Sequence, residues 1–196
     1  MSPDELGSYV TGRIEGATAE VSFGQLTVDV PPEGWLEAAT MLRDDGRVAC
    51  RFFDWLSAYD DGSTADREDA GLAVVLHLWS TTHHHQIRLR THVTREGGRL
   101  ASLAEVWPGA NWHERETFEM FGVVFDGHPN LVPLLLPDGF EGHPLRKEFV
   151  LASRVAKVWP GAKEPGESDR DTEAASPGRR RMLPPGVPGP GEWGPE

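Results

Sequence analysis

The stretch Asn111–Met120, NWHERETFEM, begins with a His-Glu pair that could start a zinc-peptidase motif. In H-E-x-x-H, two imidazoles one helical turn apart bind one zinc ion and the glutamate activates the bound water. The fifth position here is Thr117, whose hydroxyl is a poor zinc ligand. A metal-dependent hydrolase using His113, Glu116 and Glu119 is therefore kept only as an alternative of a different class.

The same stretch also places four charged residues among aromatic ones. On a helix from about residue 110 to 121, Arg115 can pair with Glu119 at a spacing of four residues, and Glu116 lies one turn from Glu119. Such pairs on a solvated helix contribute only about 0.3–0.5 kcal/mol. Because Trp112 and other large apolar side chains surround the charges, we predict a partly buried ionic cluster formed by Glu114, Arg115, Glu116 and Glu119.

A Gly-His-Pro triplet occurs twice downstream, with His128-Pro129 in the first copy and His143-Pro144 in the second. Proline confines each preceding histidine to an extended backbone, so both imidazoles are expected on rigid loops. Together with Arg146 and Lys147 they could form an acid/base or anion site. Rigid loops at a protein interface explain the pattern equally well.

Other motifs give no catalytic centre. Nucleotide-binding glycine loops and the G-x-S-x-G of serine hydrolases do not occur, and Cys50 is the single cysteine. In an extended segment His83 and His85 would face one side and His84 the other, which makes an incidental metal site at best. The sequence therefore predicts no catalytic, cofactor or metal residues, and no iron–sulfur cluster.

Composition restricts the partners of the chain. A net charge of −12 argues against binding to nucleic acid, which would need a basic surface. The N-terminus is acidic where a signal peptide would be basic. The longest apolar runs fall short of the ~20 residues that cross a bilayer. We therefore expect no direct membrane insertion and any membrane association through a partner.

The pattern of elements predicts a small mixed β-sheet packed with helices, an α+β fold. Alternation predicts a strand from Val21 with a bulge near Gly24, then a helix that begins at the Pro31–Pro32 pair. A strand that ends in the Asp-Asp-Gly turn signal at 60–62 follows, and then a hairpin with its turn at 81–84. The next block predicts helix on both sides of Pro108, ended by Gly122.

We expect an N-terminal segment at 1–20, the domain at 21–152 and an extended or disordered tail at 153–196. Residues 160–196 hold eight of the sixteen prolines and seven glycines. A segment of this composition has too few apolar side chains to build a core of its own. The alternative is a strap that lies on another subunit, because a polyproline-prone backbone loses little entropy on docking.

Two segments, ANWHERETFEMFGVVFDGHPNL and LLLPDGFEGHPLRKEF, carry a family pattern. An E-R-E-x-x-D/E segment is followed by G-H-P-x-L and then by G-x-P-L-R-K-D/E. In this order and spacing the chain resembles the 30 kDa subunit family, also known as the C subunit, of the proton-translocating NADH:quinone oxidoreductase, respiratory complex I. The resemblance runs from about Ala110 to Phe149.

The resemblance implies a subunit of the peripheral arm that carries no flavin, cluster or quinone itself. FMN and the iron–sulfur clusters would belong to partner subunits, and NADH and quinone would be met only through the complex. The chain would lie at the cytoplasmic side of the cell membrane, next to the subunits that form the quinone site. The interface or signature residues implied are Glu114, Arg115, Glu116, Glu119, His128, Pro129, His143, Pro144, Arg146 and Lys147.

Some positions depart from many relatives: Val132 and Pro133 replace basic residues, Glu148 replaces an aspartate, and Val150 replaces a proline. Related subunits also serve membrane-bound hydrogenases and other cofactor:quinone dehydrogenases. The equivalent subunit of such a complex is therefore the nearest alternative.

Overall fold

The computed structural model describes residues 1–62 and 71–150. Contacts group residues 1–138 and 143–147 into a main unit, while residues 139–142 and 148–150 belong to a second unit. Within the second unit, the rings of Phe140 and Phe149 stack. The tail predicted at 153–196 lies outside the described residues.

A mixed five-stranded sheet lies at the centre of the main unit, which confirms the predicted α+β class. Its strands are β1 (Thr18–Ser22), β2 (Gln25–Asp29), β3 (Phe52–Asp60), β4 (Leu72–Ser80) and β5 (His85–Val93). The order across the sheet is β1-β2-β5-β4-β3. Neighbours are antiparallel except β2 and β5, which run parallel.

Three helices and a smaller sheet complete the described chain. The helices are α1 (Pro3–Thr11), α2 (Trp35–Asp44) and α3 (Ala110–Phe121), and a short 3-10 turn (Pro32–Gly34) leads into α2. Strands β6 (Arg99–Ala101) and β7 (Val124–Asp126) pair in parallel on either side of α3 in sequence. Helix α1 packs on β1 and β2, and α3 packs on β3.

One face of the sheet builds the core. Alternate residues of β4, from Leu72 to Leu78, join Ile87, Leu89 and the apolar faces of α1 and α2 in one buried cluster. Each such aliphatic side chain contributes roughly 1.5–3 kcal/mol on burial. Alternation of period two in the strands and of about 3.6 in the helices brings these side chains to one layer.

Helix α1 lies within the segment predicted to precede the domain. Ser2 and Glu5 form a reciprocal capping box with Pro3 at the first turn, and this arrangement fixes the start of the helix. Leu6 and Val10 are buried in the common core. The predicted boundary at residue 21 falls inside β1.

Two expectations about local structure are wrong. The bulge expected near Gly24 is a two-residue hairpin turn, because Phe23 and Gly24 both have positive φ, at 50° and 75°. The helix expected before Pro108 does not form: Arg99–Ala101 is strand β6, since those residues pair with β7. The helix after Pro108 and the hairpin turn at 81–84 are confirmed.

Among residues 1–62 and 71–150, no helix has the length and apolar character needed to cross a bilayer.

Candidate functional site

Helix α3 carries the charged signature stretch and lies against the edge strand β3. Ala110, Thr117 and Phe121 are buried on the face towards the core. His113, also on α3, faces β3: its Nδ1 atom lies 3.0 Å from the carbonyl oxygen of Leu56. The left-handed residue Gly122, with a φ of 80°, ends the helix as predicted.

Glu114 is a buried carboxylate whose partners are neutral hydrogen-bond donors. It accepts from the hydroxyl of Ser102 at 2.5 Å and from the backbone N–H of Leu103 at 2.6 Å. Burial raises the pKa of Glu114 to about 7, and these two hydrogen bonds oppose the rise only in part. Glu114 therefore joins α3 to the chain after β6 as a buried acceptor.

His128 lies beside this carboxylate in a fixed tautomer. The N–H of Asn130 donates to Nδ1 of His128 at 3.0 Å, so the proton of a neutral ring is on Nε2. Nε2 then donates to the carbonyl oxygen of Asn111 at 3.1 Å and is 3.9 Å from Glu114 Oε2. The first Gly-His-Pro loop is thereby attached to the first turn of α3, and Pro129 is exposed.

Arg115 binds carbonyl oxygens and no carboxylate of the described chain. Its Nε donates to the oxygen of Val132 and a terminal nitrogen donates to the oxygen of Pro133, both at 2.9 Å. Its guanidinium also lies 5.8 Å from the ring centroid of Trp112. Over residues 1–62 and 71–150 Arg115 forms no ion pair, so the predicted pair with Glu119 and the shared ionic cluster are wrong.

Glu119 holds the same loop one turn further along α3. Its two carboxylate oxygens accept from the backbone N–H groups of Leu135 and Leu136, at 2.9 and 2.7 Å. Only 5% of Glu119 is exposed, so these N–H groups replace water. Glu116 points away and is exposed. Arg115 and Glu119 thus hold the segment 132–136, named here the clamped loop.

The second Gly-His-Pro loop caps the C-terminus of α3. His143 Nδ1 donates to the carbonyl of Glu119 at 2.8 Å, and Arg146 Nε donates to that of Phe121 at 2.7 Å. The N–H of Leu145 donates to the carbonyl of Met120 at 3.2 Å. Three consecutive carbonyls at the end of the helix therefore have partners. Pro144, which follows His143, is partly buried.

Asp60, at the end of β3, ties this cap to the sheet. Its carboxylate accepts from the N–H of Lys147 at 2.9 Å, from the N–H of Gly62 at 3.0 Å and from Arg95 at 2.5 Å. Burial opposes ionisation, but these donors and the nearby cations lower the pKa of Asp60. The side chain of Lys147 stays exposed while its backbone makes the connection.

The two loop histidines do not form a common acid/base site. They bind carbonyls at Asn111 and Glu119, eight residues apart and thus about 12 Å apart along a helix. The alternative hydrolase set is also dispersed: His113 binds a β3 carbonyl, Glu119 binds the clamped loop and Glu116 faces solvent. In the described chain no three His, Cys, Asp or Glu residues are grouped to hold a metal ion.

The histidine run at 83–85 lies at the β4–β5 turn. Nε2 of His83 and of His85 each bind a backbone carbonyl, of Gly46 and Val48, at 2.9 Å. Their rings stack with centroids 5.7 Å apart. Both therefore pack against the chain that follows α2. The extended segment assumed for the alternation is absent, because residues 81–84 form a turn in which His84 has a φ of 54°.

Comparison with known proteins identifies the family. A family model described as the 30 Kd subunit of respiratory-chain NADH dehydrogenase matches residues 28–155, more than half of the chain. The chain belongs to this family. The C subunit of NADH-quinone oxidoreductase from Bordetella avium is 41% identical over 145 residues, which cover 68% of this chain and 70% of that protein. Its counterpart from Roseiflexus castenholzii is 44% identical over 130 residues, 66% of this chain and 72% of that protein.

Solved structures agree with the fold. A trypsin-resistant fragment (1–134) of Nqo5 matches with a TM-score of 0.56 and 28% identity, over 67% of this chain and 100% of the fragment. A chain of the membrane-bound sulfane sulfur reductase, an archaeal respiratory membrane complex, matches with a TM-score of 0.54. At 20% identity over 71% of this chain and 79% of that one, the second match shows a shared fold only.

Within this member of the 30 kDa family, sequence reasoning missed the partners of the signature residues. No sequence pattern identifies the donors, which are the hydroxyl of Ser102 and the backbone N–H groups of Leu103, Leu135 and Leu136. Asp60 was hidden in an Asp-Asp-Gly turn signal, although a buried aspartate at a strand end often accepts from loop amides.

The clamped loop and α3 leave an exposed apolar surface. Trp112 is 63% exposed, Val132 42% and Leu135 60%. Arg115 connects them, since it lies near the Trp112 ring and binds the backbone of Val132. We name these three side chains the loop–helix surface. Its backbone is fixed by buried or half-buried charges, which preorganises it for binding.

Proposed function

We propose that this chain is a non-redox structural subunit of the peripheral arm of a proton-translocating NADH:quinone oxidoreductase. It would support the subunits that form the quinone-reducing site during electron transfer from NADH to quinone. One observation carries the proposal: the signature residues Glu114, Arg115, Glu119, His143 and Arg146 bind this chain's own backbone and shape its surface. Within the described residues these groups are not directed at a common reacting position, as a catalytic set would be.

The redox groups are proposed to reside in partner subunits, with FMN and the iron–sulfur clusters held there. This chain has one cysteine, whereas a cluster needs several thiolates. Burial also raises the pKa of Cys50 to about 12, which disfavours the thiolate that a metal ligand requires. NADH and quinone would be met only through the complex.

The proposed location is the cytoplasmic side of the cell membrane, reached through protein contacts. The net charge of −12 opposes adsorption to anionic lipid, so a protein partner must supply the attachment. The loop–helix surface offers apolar side chains for such a contact. Its rigid backbone lowers the entropy that binding would cost.

Deletion of the gene, followed by purification through a tag on another subunit, tests the proposal. Without this chain we expect loss of assembled complex and of NADH:quinone activity. Restoring the wild-type chain should return both in proportion. The purified full-length chain alone should show neither flavin nor cluster absorbance, and should not oxidise NADH with any quinone.

Two results would contradict the structural role. One is a stoichiometric flavin or an iron–sulfur absorption band in the purified chain. The other is a fully assembled complex from the deletion strain whose turnover alone is reduced, because a support subunit acts through assembly.

A further inference from the structure

The two edge strands of the five-stranded sheet differ in whether another element covers them. The β3 edge is covered by α3, where His113 Nδ1 lies 3.0 Å from the carbonyl oxygen of Leu56. The other edge is β1, which has β2 as its one neighbour among the described strands. Four of its five residues are exposed and the fifth is half-buried. An open strand edge is a template for pairing with another chain.

The hairpin turn determines which groups of β1 face outward. Phe23 and Gly24 form a two-residue turn with both φ values positive, so the flanking pair Ser22 and Gln25 is hydrogen-bonded. In an antiparallel ladder bonded and non-bonded pairs alternate. The N–H and C=O groups of Ala19 and Val21 therefore point away from β2, to the open edge.

These outward groups have no other backbone partner within residues 1–62 and 71–150. Val21 itself is 36% exposed. The edge thus offers two donors and two acceptors in the geometry of a strand. An added strand that satisfied all four would extend the sheet by β-augmentation.

A cavity lies directly beside this edge, between α1 and β1. Its volume is about 310 Å³, and its lining includes Gly7, Ser8 and Thr11 of α1 together with Ala19 and Val21. The small residues keep it open: a Cβ added at Gly7 would lie 3.2 Å from the Cβ of Ala19. An added strand would direct alternate side chains to this face, and the cavity, which Asp4 and hydroxyl side chains line together with Ala19 and Val21, has room for a small one.

Charge decides the kind of partner. Asp4 lines the cavity, and the side chain of Glu20 is 67% exposed with Arg90 only at 3.9 Å. In the symmetric register that uses all four outward groups, Glu20 would face Glu20 of a second copy. Like charges opposite each other destabilise a sheet, so self-pairing is disfavoured and a basic strand is favoured.

We propose that β1 accepts an extended segment of another subunit of the complex. That segment would carry a small residue directed to the α1–β1 cavity and, next to it on the opposite face of the sheet, a Lys or Arg near Glu20. The inference rests on the proposed function, since it takes the occupant from the same complex.

Residue-resolved hydrogen exchange on the full-length chain, alone and in the purified complex, tests this edge. In the chain alone the amides of Ala19 and Val21 should exchange close to the rate of an open backbone. In the complex both should slow by at least 100-fold, while Leu26 and Val28 in β2 keep their rates. If both β1 amides exchange in the assembled complex as fast as in the free chain, strand pairing at β1 is contradicted. The proposed function would not be affected by that result. Failure to recover any complex containing this chain would sink both.

Substitution gives a second, independent measurement. Val21→Pro removes an N–H that has no backbone partner in the described chain, so the variant should keep the melting temperature of the wild type. It should nevertheless lower the occupancy of this chain in the purified complex at least tenfold. Val21→Thr keeps the N–H and the branched shape, so its occupancy should fall far less than that of the proline variant. Equal occupancy of the proline and threonine variants would contradict pairing at this edge.

Discussion

At the residue scale, sequence identified the charged positions of α3 but not their partners. Charges framed by aromatic residues predicted burial, and Glu114 and Glu119 are indeed buried. A cluster with Arg115 was predicted because a sequence gives the types and spacing of side chains but not the positions of backbone groups. The actual partners are mostly backbone groups of loops, whose positions depend on the whole fold. Hydrogen bonds of this kind cannot be predicted from residue types and spacing alone.

Glu114 should make stability fall as pH rises. Its folded pKa, about 7, lies above the usual 4.5, so the folded state holds a proton that the unfolded state releases between these values. Stability from this group is full below about pH 4.5 and is lost as pH rises through about 7, on the order of 3 kcal/mol in total. Denaturant unfolding of the wild type between pH 4.5 and 8 measures this loss.

Glu114→Gln provides the matched control, since the amide keeps the shape and still accepts from Leu103 N–H. The difference in unfolding free energy between wild type and Glu114→Gln should change with pH in the direction given above. A difference that is constant from pH 4.5 to 8 would show that folding does not raise the pKa of Glu114.

At the element scale, periodicity and stop signals predicted much of the chain. Gly122 correctly marked the end of α3, and the β4–β5 hairpin was found with its turn. Helix α1 was missed, although Ser2 and Glu5 stand in a capping-box arrangement, because nine residues give a short periodic pattern. The cap at the end of α3 was also not predictable, since His143 and Arg146 come from a loop beyond β7.

Gly122→Ala tests that cap. An added Cβ would lie 2.5 Å from a terminal nitrogen of Arg146 and 2.6 Å from His143 Nε2, at a φ of +80°. We expect a loss of roughly 2–4 kcal/mol in unfolding free energy, from backbone strain together with displacement of the cap. Gly97→Ala is the control, because its φ is +68° with nothing within 4 Å of the added Cβ. The unfolding free energy of Gly97→Ala should fall by about 1 kcal/mol. Equal losses at both glycines would show that displacement of the cap by the added Cβ costs no stability.

The clamped loop should depend on Glu119 and not on Glu116. Glu119→Gln replaces a charged acceptor of two N–H groups by a neutral amide, at an expected cost of about 2 kcal/mol. Glu116→Gln changes an exposed side chain three residues away and should alter stability by less than about 0.5 kcal/mol. Thermal unfolding compares the two variants, and equal shifts in melting temperature would mean that the bonds from Leu135 and Leu136 contribute nothing net.

At the scale of the whole molecule, two features of the described surface suit a support subunit. The loop–helix surface is apolar and held in place by α3, and the β1 edge lies at the outer end of the sheet order. Sequence predicted an interface at the signature because of the family resemblance. Which side chains are presented could not be predicted, because Val132 and Leu135 read as an ordinary apolar run. Exposure results from Arg115 and Glu119 holding the loop backbone inward, so that these side chains turn outward.

Leu135→Ser tests whether the loop–helix surface docks a partner subunit. Leu135 is 60% exposed, so the chain alone should lose less than about 0.5 kcal/mol of stability. If this side chain is buried against a partner, its loss should lower the amount of the chain in the purified complex at least tenfold, equivalent to about 1.4 kcal/mol.

Leu36→Ser is the matched control: Leu36 lies on α2, outside the signature stretch, and is 40% exposed. It should assemble as wild type, because Leu36 is not part of the loop–helix surface. NADH:quinone activity per assembled particle should stay unchanged in both variants. Equal assembly of the two serine variants would mean that the clamped loop faces solvent in the complex, and the contact would then have to be sought elsewhere on the chain.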